Sequence, residues 1–178
     1  MITDYVNASV HDIRKEKQLD IQDLAGPEGP SKHYLTYLPC SWNPRLDTLT
    51  KIAARLNTTM LEILRRATDK AYEAGDTEAP APESYEAPRH LVCFFPDNVH
   101  EYFGATLREL RKTQGLSLEQ LAARTRIDKA NISHRETGST GAITPTLLYL
   151  EVLADGLEIS LLEFVERMLE AAYERKRY

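Results

Sequence analysis

A chain of 178 residues, 42% hydrophobic and 28% charged, has room for one ordinary globular domain or two small ones. It has no apolar run near the roughly 18 residues that a membrane span needs. Its first residues, MITDYVNASVHD, lack the basic-then-apolar order of a secretory leader, so a cytoplasmic protein is expected. Net charge is −5, unevenly spread: residues 1–72 carry +1, 73–100 carry −5, 101–140 carry +2 and 141–178 carry −3. A polyanionic partner is therefore disfavoured by the whole chain but not by its third quarter. Cys40 and Cys93 lie far apart with no CxxC and read as reduced thiols rather than a disulfide or a metal site.

In chain order, Arg14 falls in a first helical stretch and LDIQDLA, Leu19 to Ala25, opens a second. Pro27 is expected inside that second helix, where proline removes a donor and clashes with the preceding turn. SKHYLTYL, Ser31 to Leu38, is a short aromatic candidate for a third. PRLDTLTKIAARLNTTMLEIL then reads as two more helices with apolar spacings of three and four, the last starting near Thr58.

Glu73 to Pro88 holds three prolines and five acidic residues and reads as an extended linker. Sixteen residues in a polyproline-like state would reach about 50 Å. His90 to Pro96, HLVCFFP, is a candidate strand or apolar arm, with Asp97 or Asn98 as a cap for the next helix.

Leu107 to Gly138, LRELRKTQGLSLEQLAARTRIDKANISHRETG, carries the strongest pattern. Leu107 and Leu110 mark one face of a helix. Ser117 can cap a second helix bearing Leu118, Leu121 and Ala122, and Asp128 can cap a third anchored by Ile132. Both side chains accept hydrogen bonds from first-turn amides that otherwise lack partners. With about five residues between the second and third helices, only a tight turn fits, as in a helix–turn–helix. PTLLYLEVLADGLEISLLEFV supplies two further helices, with Ser160 near the start of the last. That helix carries an apolar stripe of Leu161, Val165, Met168, Leu169 and Ala172, a candidate homodimer face or cover for the other half of the chain.

The halves are related. A shift of 97 places Arg14, Leu19, Ile21, Leu24, Ala25 and Leu35 on Arg111, Leu116, Leu118, Leu121, Ala122 and Ile132. After four extra residues, Pro44, Leu46, Leu49, Ile52, Ala53, Leu56 and Ile63 meet Pro145, Leu147, Leu150, Leu153, Ala154, Leu157 and Phe164. An internal repeat constrains architecture more than any single helix does. The expected fold is all-α, two tandem five-helix lambda-repressor-like domains: 1–72, a linker and arm over 73–96, and 97–178 with an extended last helix.

LSLEQLAARTRIDKANISHRETG followed by PTLLYLEVLADGLEISLLEF resembles the Cro/repressor-type (XRE family) helix–turn–helix proteins over roughly Phe103 to Phe164. Val10 to Leu64 resembles them more weakly. The resemblance implies a third helix in the major groove, with its first turn at base edges. Here those positions are Asp128, Lys129, Ala130, Asn131 and Ser133, with His134 and Arg135 further along. Lys129 would reach guanine acceptors, Asn131 a phosphate or an adenine edge, and Asp128 a cytosine amino group. Ser117 matches a phosphate-contacting position. Arg111 and Glu136 match a buried ion pair. In the first copy Ser31, Lys32, His33 and Tyr37 occupy the contact positions, while Pro39 replaces the acidic partner of Arg14. Three departures stand out. Leu118 replaces a polar contact, Arg126 stands where a glycine of positive φ is usual, and Arg135 takes an apolar position.

Five histidines without HxxxH or HExxH spacing argue against zinc. No nucleophile elbow, glycine-rich phosphate loop or paired-carboxylate motif argues for an enzyme or a cofactor. The expected function is a sequence-specific transcriptional regulator of duplex DNA, a repressor. The competing reading is a protein-binding regulator, antitoxin- or antiactivator-like, with the first copy as its partner surface.

Overall fold

The computed structural model describes residues 1–25, 30–31, 42–77, 91, 99–138 and 144–176. All nine helices among them are α-helices, and none is long and apolar enough to cross a membrane. The chain divides into two compact units, Met1–Phe95 and Pro96–Tyr178.

In the first unit, α1 (Thr3–Glu16) is followed by α2 (Ile21–Leu24), α3 (Leu46–Arg55) and α4 (Met60–Glu73). Apolar residues three or four apart give α1 and α4 one buried stripe each: Val6, Val10 and Ile13 on the first, Leu61, Leu64, Ala67 and Ala71 on the second. The two helices pack together. Their rims are tied by Arg66 to Glu16 at 2.6 Å and Lys70 to Asp12 at 2.7 Å. Such half-exposed pairs contribute at most about 1 kcal/mol each, so the apolar stripes decide the packing.

Several expectations change here. The second helix does not run through Pro27. It ends at Leu24, and Ala25 is already extended at φ −84°, ψ 155°. The chain leaves the helix before the residues that proline constrains. α4 does start beside Thr58, and Thr59 is its cap, accepting from the Glu62 amide at 3.0 Å. Glu73 to Thr77 is not part of a free linker: Glu73 closes α4, Gly75 turns back at φ 77°, and Asp76 accepts from the Tyr5 hydroxyl at 2.7 Å. Of the His90 to Pro96 run only Leu91 is described, and it is helical and buried rather than in a strand. Both cysteines, Pro39, Asp97 and the rest of the linker lie outside the described residues.

In the second unit, α5 (Val99–Thr113), α6 (Leu118–Thr125), α7 (Lys129–Thr137), α8 (Leu147–Gly156) and α9 (Leu161–Lys176) follow in order. α5 packs on α9 and α7, α6 on α7 and α8, and α8 on α9. Phe103 sits at the centre, edge-on to Phe164 at 6.1 Å and to Tyr149 at 6.2 Å. Around it Leu107, Leu121, Ile132, Leu150, Leu153, Val165 and Met168 are buried. Leu161, Val165, Met168, Leu169 and Ala172 are all covered within one chain. This corrects the expectation of a dimer face on the last helix, since that stripe offers no exposed apolar surface.

The shifts seen in sequence recur in the backbone. Moving Leu46–Arg55 by 101 gives the bounds of Leu147–Gly156. Moving Thr3–Glu16 by 97 ends on the last residue of α5. Gln18 and Gly115, 97 apart, are both left-handed, as are Asn57 and Glu158, 101 apart. Arg14 donates to the Leu19 carbonyl at 2.6 Å and Arg111 to the Leu116 carbonyl at 2.7 Å.

Candidate nucleic-acid interface

The interface is built around the turn between α6 and α7. Ser117 accepts from the Gln120 amide at 3.1 Å while its own amide donates to Gln120 Oε1 at 2.7 Å, a reciprocal cap. α6 ends on Thr125, whose hydroxyl donates to the Leu121 carbonyl at 2.8 Å and accepts from the Ile127 amide at 3.2 Å. Arg126 takes φ 58°, ψ 20°, the left-handed conformation that favours glycine. Asp128 then caps α7, its Oδ1 accepting from the amides of Ala130 at 2.8 Å and Asn131 at 3.3 Å. The turn is three residues, Arg126 to Asp128, shorter than the sequence suggested because α6 continues to Thr125.

Two glycines allow this crossing. A Cβ on Gly104 of α5 would overlap the Arg135 carbonyl oxygen of α7, and one on Gly156 of α8 would overlap the Thr125 methyl group. Arg111 and Glu136 lock α5 to α7 through two parallel hydrogen bonds of 2.6 and 2.7 Å, with side chains 10% and 4% exposed. The Glu136 carboxylate holds the Arg111 guanidinium above its usual pKa, so Arg111 stays charged.

α7 has one fully buried residue, Ile132. Asp128, Lys129, Ala130, Asn131 and His134 are exposed and Ser133 and Arg135 half-exposed, so these positions surround α7 on every side but the one closed by Ile132 and Glu136. Ser117 is exposed at the start of α6. Three of these side chains are held in ways the sequence did not suggest. Lys129 Nζ lies 2.6 Å from Glu119 Oε1, both well exposed at 56% and 64%. That hydrogen bond lowers the Glu119 pKa and raises that of Lys129. Asn131 Oδ1 accepts from the Tyr149 hydroxyl at 3.1 Å. The Arg135 guanidinium lies 5.3 Å from the Tyr149 ring centroid, so an arginine at an apolar position is accommodated by stacking. In the first unit Ser31 is exposed and outside any helix, and Lys32, His33 and Tyr37 lie outside the described residues. Among the described residues no cluster of three or more metal-ligating side chains occurs.

Residues 102–171 match the family model of a helix-turn-helix domain. The matched span takes in the capped pair α6–α7 and the scaffold that carries it. No curated protein and no solved structure matches the chain. A helix-turn-helix domain is a regulatory, DNA-binding fold rather than a catalytic one, so duplex DNA is the partner to which this part of the chain points. Glu119 and Tyr149 belong to this domain and were missed in the sequence. The only signal for either was an acidic residue in the first turn of a capped helix and an aromatic residue beside the apolar stripe of the next.

Proposed function

We propose that this protein is a cytoplasmic transcriptional regulator of the Cro/repressor type that binds operator DNA and acts by excluding polymerase. α7 enters the major groove, and the α6 N-terminus with Ser117 rests on a phosphate. Lys129, once released by Glu119, and Asn131 reach base edges. Asp128 keeps Oδ2 for a cytosine amino group, while Ser133, His134 and Arg135 face the backbone of the duplex. The observation that carries this reading is the exposed first turn of α7, standing on a short capped turn within the matched helix-turn-helix span.

The coincident helix bounds and left-handed positions support reading the first unit as a second copy of the same plan. Two copies suit two half-sites, about 34 Å apart when one duplex turn separates them. The test is a gel shift with the full chain. Affinity for a selected operator should fall steeply with salt and drop to the nonspecific level in Lys129→Ala/Asn131→Ala. Undiminished operator binding by that double variant would remove α7 from the interface.

A further inference from the structure

Tyr149 of α8 touches two side chains of α7 at once. Its hydroxyl donates to Asn131 Oδ1 at 3.1 Å, and its ring lies under Arg135, one helical turn further along, at 5.3 Å. The ring is itself fixed edge-on against Phe103 in the core, 6.2 Å between centroids. An arginine can only donate hydrogen bonds. Beside the phenol it therefore favours the arrangement in which the phenolic proton points to Asn131. Burial raises the Tyr149 pKa, while the charge and hydrogen bonding of Arg135 oppose that rise. The phenol remains a proton donor at neutral pH.

We infer that Tyr149 is a positioning residue for base readout: it fixes the Asn131 amide so that the amino group, not the oxygen, faces the groove. The inference rests on α7 being the reading helix. Asparagine usually reads adenine with both ends of its amide, the oxygen accepting from N6 and the nitrogen donating to N7. With Oδ1 directed at Tyr149, that pairing is spoiled and an edge that only accepts, N7 and O6 of guanine, is preferred. Asn131 therefore selects guanine over adenine in this protein.

The test is selection of bound fragments from random duplex DNA by the full chain, with thermal melts alongside. Wild type should enrich an operator with one position, dependent on Asn131, where guanine exceeds adenine about tenfold. Tyr149→Phe keeps the ring that packs on Phe103 and carries Arg135. It should melt like wild type, yet at that one position the preference should shrink to about twofold, with adenine rising and other positions unchanged. Tyr149→Phe added to Asn131→Ala should select as Asn131→Ala alone does. Asn131→Asp leaves Tyr149 in place and removes the donors, so it should turn the same position toward cytosine. A Tyr149→Phe profile identical to wild type, a loss spread over all positions, or an Asn131→Asp profile still favouring guanine overturns the positioning role. A wild-type chain that enriches no duplex overturns the DNA-binding reading and this inference with it. An enriched operator indifferent to Asn131→Ala removes the contact while leaving DNA binding intact.

Discussion

Lys129 illustrates how one contact changes the meaning of a residue. A lysine at the start of a groove-facing helix is a ready phosphate or guanine ligand, but here Glu119 holds it at 2.6 Å. Binding DNA then requires exchanging that carboxylate for the nucleic acid and bringing an uncompensated acid close to phosphates. Glu119→Gln should therefore tighten duplex binding and steepen the dependence of log Kd on log salt by about one unit, read by fluorescence anisotropy across a salt series. The same pair sets a pH dependence. Because the folded Glu119 pKa is lowered, the pair's stabilising contribution is complete above the ordinary glutamate range and disappears as pH falls through the lower folded value. In Lys129→Ala the Glu119 carboxyl should rise toward the ordinary range when followed by NMR titration, the backbone hydrogen bond at the helix start still holding it down in part. Arg126 carries a different local cost. Its φ of 58° strains any residue with a Cβ, so Arg126→Gly should add about 0.5–1 kcal/mol of stability in a denaturant melt.

At the scale of elements, the helices and their caps were legible because they depend on neighbours in sequence. Ser117 bonds three residues ahead and Asp128 two and three ahead, so residue type at the right offset was enough. The hydrogen bonds of Asn131 to Tyr149 and of Lys129 to Glu119 join residues 18 and 10 apart, and they exist only because of how α6, α7 and α8 cross. That crossing depends on Gly104 and Gly156. A glycine inside a helical pattern is a usable signal of close approach, and it was overlooked in both places. Gly104→Ala and Gly156→Ala should each destabilise the protein by about 1–3 kcal/mol, because another backbone or a packed methyl group must move. Arg111→Met leaves the buried Glu136 carboxylate without its partner and should cost about 3–5 kcal/mol, visible as a lowered urea midpoint.

For the whole molecule, charge distribution matters more than the net value. The stretch 73–100 carries −5 while 101–140 carries +2, so the acid lies in a sequence segment separate from the candidate interface. Replacing Glu78, Glu83 and Glu86 by Gln should raise affinity for random duplex at low ionic strength. The gain should fade above about 0.15 M salt, where the Debye length shrinks to about 8 Å. An operator-specific gain that survives high salt would mean instead that this segment contacts the reading surface. The apolar stripe of the last helix teaches a related lesson: periodicity identified the stripe, but periodicity alone does not say whether the surface covering it comes from the same chain or from another.

Ile132 alone is fully buried along α7, while the Glu136 side chain holds the helix from behind. On the proposed reading, recognition and folding fall on different sides of one short segment. Descendants of this chain can acquire new target sites by exchanging a few outward residues, with little penalty in the melting curve and no repacking of the interior.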